Sequence, residues 1–75
     1  MTERRKSIRR IGTNIIETAT GRIEQGIVVI EDGIVLDTYP FTEEEPMTEW
    51  TTGTITIRPD NDGKPRAYKG DQLLK

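Results

Sequence analysis

The chain has no cysteine and no histidine, a single serine, two alanines and four aromatic residues among its 75 positions. Without cysteine there are neither disulfides nor thiolate metal sites, so a fold of this size rests on packing or association, and it suits a reducing compartment. With no His and no Cys, and with Ser7 inside a basic segment, neither a Ser-His-Asp nor a Cys-His arrangement can be assembled from one chain. We therefore expect no enzyme, no catalytic residues and no cofactor. Long apolar runs are also missing. Nothing approaches the roughly 18 residues of a membrane span, and the basic start "MTERRKSIRRIG" leads into no apolar signal core, which points to a cytoplasmic protein without a membrane partner.

What the chain does have is strand-forming composition: 10 Ile, 3 Val and 11 Thr against 3 Leu and 2 Ala. A net charge of −2 lacks the self-repulsion of a disordered segment. So short a chain buries only about 60% of its unfolded surface, which makes a shared core, and hence oligomerisation, a live alternative to an efficient one. The expected fold is all-β: a small antiparallel sheet of about five strands curled into an open barrel or sandwich. It would form one domain over residues 13–70, with a flexible basic arm over 1–12 and a tail over 71–75.

The strands are expected at 13–19, 22–30, 34–39, 50–58 and 65–69. Thr20-Gly21 would turn the first pair, and Asp32-Gly33 inside "GIVVIEDGIVL" is a strong two-residue hairpin signal of type I′. In that hairpin Val29 is expected opposite Leu36 and Ile30 opposite Val35, so both faces carry apolar side chains. Either the sheet covers itself, or Val28, Ile30 and Val35 meet a second copy in a homodimer. Gly26 interrupts its strand and is read as a bulge. "PDNDGK" reads as the last reversal, and "GDQLLK" as one helical turn capped by Asp71.

Residues that could carry chemistry are few. Glu43, Glu44, Glu45 and Glu49 cluster, but nothing in the sequence would desolvate one of them, and the segment reads as a solvated loop. "DNDG" at 60–63 recurs in calcium loops, yet alignment on Gly63 puts Arg58 at the first ligand position and Lys69 where a bidentate Glu is required, so no metal site is expected. Gly21 to Pro40, "GRIEQGIVVIEDGIVLDTYP", resembles the hairpin in the small accessory β-sandwich of amidohydrolase-type enzymes, over 20 of the 75 residues. The resemblance implies strand pairing and no activity, because that family's metal-binding histidines sit on a barrel this chain does not have.

Charge is segregated along the chain. Arg4, Arg5, Lys6, Arg9 and Arg10 open it, eight acids and no Lys or Arg lie between Ile23 and Ile57, and the last segment is basic again. This pattern favours a protein partner or a second copy, with charge choosing the partner and apolar burial holding it. The candidate contact residues are Arg4, Arg5, Arg9, Arg10, Phe41, Glu43, Glu44, Glu45 and Trp50. Nucleic acid is the alternative partner, bound through the basic arm, but the sequence pI near 5.1 and the lack of aromatics among the arginines weigh against it. A stripe of Arg58, Lys64, Arg66 and Lys69 continuous with the arm would favour it.

Overall fold

A computed structural model describes residues 8–43 and 45–75. Arg4, Arg5 and Glu44 lie outside the described residues. The described chain is all β: β1 (Ile8–Thr18), β2 (Gly21–Glu31), β3 (Ile34–Pro40), β4 (Glu49–Trp50), β5 (Thr54–Pro59), β6 (Pro65–Lys69) and β7 (Gln72–Leu74). They form one seven-stranded sheet in the order β3-β2-β1-β5-β6-β7, with β4 also on β1. No helix among the described residues is long and apolar enough to cross a membrane.

The sheet is not closed into a barrel, and it is mixed rather than antiparallel, since β1 runs parallel to both β4 and β5. Two further expectations are corrected. The first strand begins at Ile8, inside the segment expected to be an arm, because Ile8 to Gly12 pair with Glu31 back to Ile27. That stretch of β2 would otherwise have unpaired backbone on one side. The tail is a strand rather than a helical turn. Gly70, at φ +63°, reverses the chain, and Leu74 comes opposite Ala67.

The core answers the question of the two apolar faces. Ile11, Ile16, Val28, Ile30, Ile55 and Ala67 are buried together, with Ile23, Val35, Ile57 and Leu74 packed against them. The chain's own β5 and β6 therefore cover the Val28 and Ile30 face, and that face is not open to a second copy. Ile27, also fully buried, stands apart from this cluster on the opposite side of β2.

Core residues five apart, Ile11 with Ile16 and Ile23 with Val28, would point to opposite faces of regular strands. Both strands lose alternation at one level, between the Thr13–Gly26 and Ile15–Glu24 pairs, and their register is unbroken. The irregular residue is Gln25, at φ +55°, so the bulge expected at Gly26 is absent. Gly26 is needed for packing instead: a Cβ there would come within 2.5 Å of Ile16 Cδ1. The register shift of β2 against β3 lies between Val29 and Ile30. Ile30 faces Val35 as expected, but Val29 faces Asp37, and Leu36 is the extra, exposed residue. The hairpin turn has φ +53° at Asp32 and +82° at Gly33, as a type I′ turn requires.

On the other edge of β1, Asn14 and its neighbours fix the path of the chain around Gly53. The Asn14 Oδ1 accepts from Gly53 N at 2.9 Å, and the Gly53 carbonyl accepts from Thr13 Oγ1 at 2.8 Å and Ile15 N at 3.2 Å. Gly53, at φ +99°, splits the expected fourth strand into β4 and β5 and leaves Trp50 beside Gly12.

Candidate protein-interaction surface

The outer side of the sheet carries a row in which Gly12 faces Ile27 and Ile27 faces Tyr39. Gly12 supplies a gap in that row, and the Trp50 ring fills it so closely that a Cβ at position 12 would overlap the ring. Phe41 meets Trp50 edge to face, with centroids 4.9 Å apart, and its backbone N–H donates to the Gln25 carbonyl at 2.8 Å. The two rings are thus held from opposite ends, Trp50 by β4 pairing and Phe41 by the ladder beyond β3. Trp50 nevertheless remains 42% exposed.

Met47 stands on the loop between them, 88% exposed and at φ +61°. The left-handed region costs a non-glycine residue of this type about 1 kcal/mol or more, so the turn holds this apolar side chain outward at some expense. Tyr39 Oη donates to Glu45 Oε1 at 2.9 Å and anchors the loop. Burial, then the hydrogen bond and charge of Glu45, push the Tyr39 pKa above its ordinary value, and Arg10 opposes the rise. Pro40, Phe41, Thr42, Glu43, Glu45 and Pro46 line an open depression of about 420 Å³ beside the ring pair.

At the other end of β4, Arg9 Nε and Nη2 donate to the two oxygens of Glu49 at 2.9 and 2.8 Å. The hydrogen bond from Arg9 holds the Glu49 carboxyl below its ordinary range, and the same bond raises Arg9. Both side chains are partly exposed, so this pair orients β4 more than it stabilises the fold.

Of the expected contact residues, the structure brings together Phe41, Glu43, Glu45 and Trp50, with Arg9 and Arg10 along the same margin. Met47, Gly12 and Ile27 were not singled out from sequence. An apolar residue between Pro46 and Thr48 in a polar loop was the available signal for Met47.

Of the four basic residues whose stripe would favour nucleic acid, Arg58 and Arg66 face each other across β5 and β6, and Arg58, Arg66 and Lys69 each have a side-chain partner within the chain. Arg66 donates to Asp60 Oδ2 at 2.8 Å and to the Gly33 carbonyl at 2.9 Å, Lys69 Nζ to Thr51 Oγ1, and Arg58 lies over the Tyr68 ring at 4.4 Å. Asp60 is committed to the β5–β6 reversal, where its Oδ1 accepts from the backbone N–H groups of Asp62 and Lys64. Among the described residues no group of three or more His, Cys, Asp or Glu is placed to hold a metal ion. No family model matches the chain, nor does any curated protein or solved structure.

Proposed function

We propose that this chain is a non-catalytic interaction module that binds a protein partner through the Trp50, Phe41 and Met47 surface. The observation that carries the reading is a packed, partly exposed aromatic pair whose connecting loop carries an exposed methionine at positive φ. Trp is among the residues most enriched in binding hot spots, and a side chain fixed before contact loses little entropy on binding. The curl is read as an open sandwich, β1 to β3 against β5 to β7, whose inner face is fully used and whose outer face presents this patch.

Self-association belongs to the same proposal, but through the outer face, since Ile30 is occupied by the chain's own core. Strand addition at the β3 edge is disfavoured by the Leu36 bulge, by Asp37 and by Pro40. Nucleic-acid binding draws no support from Arg58, Arg66 and Lys69, each of which has a partner within the chain.

The test is site-specific photocrosslinking with a photoreactive residue at Met47 and, as control, at Asp62 on the far reversal. The expected result is one defined adduct from position 47, a protein that when purified perturbs Trp50 fluorescence. Equal or absent crosslinking from the two positions would refute the reading.

A further inference from the structure

We infer that the segment taken by this surface is cationic: a stretch of protein chain with an apolar side chain on Trp50, Phe41 and Met47 and flanking Lys or Arg toward Glu43 and Asp37. This rests on the reading of the aromatic patch as a docking site and adds the chemistry of its occupant.

The argument is one of charge complementarity around an apolar centre. Glu49 is already neutralised by Arg9, and Glu45 is engaged by the Tyr39 hydroxyl. Among the described residues Glu43 and Asp37 take part in neither of the two ion pairs, Arg9–Glu49 and Arg66–Asp60. Asp37 lies two residues before Tyr39 on the same side of β3, across Val29 from Arg10. The cations along this margin are already engaged, Arg9 by Glu49. Arg10 acts on Tyr39, and Lys69 is bonded to Thr51, the residue after Trp50. The β2–β3 hairpin and its following loop contain no Lys or Arg after Arg22, so an incoming cation meets carboxylates with no ion-pair partner on their own strands. Phosphate groups of nucleic acid or of an anionic lipid surface would be repelled by the same carboxylates. An Arg or Lys beside the exposed Trp50 face also gains a cation–π contact.

The experiment uses the full chain and its single tryptophan as reporter, with two tryptophan-free probes, the nonapeptide Gly-Arg-Leu-Arg-Leu-Arg-Leu-Arg-Gly and its Glu-for-Arg counterpart. The arginine peptide should shift Trp50 emission saturably, and the glutamate peptide should bind at least roughly tenfold more weakly. Glu43→Gln with Asp37→Asn should weaken the arginine peptide by about threefold or more and flatten its salt dependence. Met47→Gly should weaken it without lowering the melting temperature, because glycine relaxes the left-handed turn while removing the presented side chain. Equal binding of both peptides, still weakened by Met47→Gly, would overturn the cationic inference and leave the docking surface standing. Binding of the arginine peptide that ignores all three substitutions would place it elsewhere and overturn the inference. No emission change with either peptide at millimolar concentration would overturn it as well, with the docking surface then decided by the crosslinks.

Discussion

Gly12→Ala adds one methyl group where the Trp50 ring lies. The new Cβ would overlap the ring, which must move outward until ordinary van der Waals contact is restored. The movement loosens the Phe41 edge contact and opens the row beside Ile27, the residue opposite Gly12. Overpacking of this kind costs about 1–3 kcal/mol, and alanine recovers about 0.5–1 kcal/mol over glycine in a strand, so the mid-range values leave a net loss of about 1 kcal/mol. In a domain of this size each kcal/mol moves the melting temperature by about 4–8 °C, so a fall of that size is expected. Thermal melts followed by circular dichroism measure it, and the emission maximum of Trp50 should move to the red at the same time. The decisive comparison is a double-mutant cycle. In a Trp50→Ala background the same Gly12→Ala change has no ring to displace and should stabilise by about 0.5–1 kcal/mol. If Gly12→Ala melts at or above the parent with unchanged emission, the ring does not depend on the gap and the pre-organised surface loses its basis.

Ile30→Lys places an ammonium in the main core; Ile→Ala alone at such a site costs about 2–5 kcal/mol, and the unpaired charge adds to it, so the variant should lose its β-sheet circular dichroism. A folded Ile30→Lys monomer would show that this face is an intermolecular contact after all. Gly33→Val should cost about 1–3 kcal/mol, since residue 33 is at φ +82° and its Cβ would lie 2.7 Å from Arg66 Nη1; a melt within a degree of the parent would contradict the turn geometry. The hydrogen bond from Arg66, and then that from the Lys64 N–H, lower the Asp60 pKa in the folded chain. A depressed carboxyl contributes stability that is present above its unfolded value and lost as pH falls through the folded one, so Asp60→Asn should flatten the loss of stability below about pH 4. Stability curves of parent and variant that stay parallel in acid would argue against that contribution.

The hairpin at Asp32-Gly33, the reversal at Asp60 to Lys64 and the strand character of the chain come from local chemistry: β-branched runs pair, and glycine or aspartate beside them permits the turn. The lack of His and Cys likewise sets limits on chemistry before any coordinates. Ile8 and Leu74 needed tertiary context, because whether a short apolar stretch next to charged residues becomes a strand depends on the edge it finds. Ile8 finds β2, and Leu74 finds β6. The parallel placement of β4 and β5 on β1 was not legible either, since it depends on Asn14 and Gly53 meeting across 39 residues of chain. The two greasy faces of β2 were evident in the sequence, yet their cover was not. Only packing assigns Val28 and Ile30 to β5 and β6, and leaves Ile27 to a row whose gap at Gly12 is filled by Trp50. A glycine near the start of a chain and a tryptophan far along it become one surface because the sheet brings them side by side, and no local preference of either residue encodes that distance.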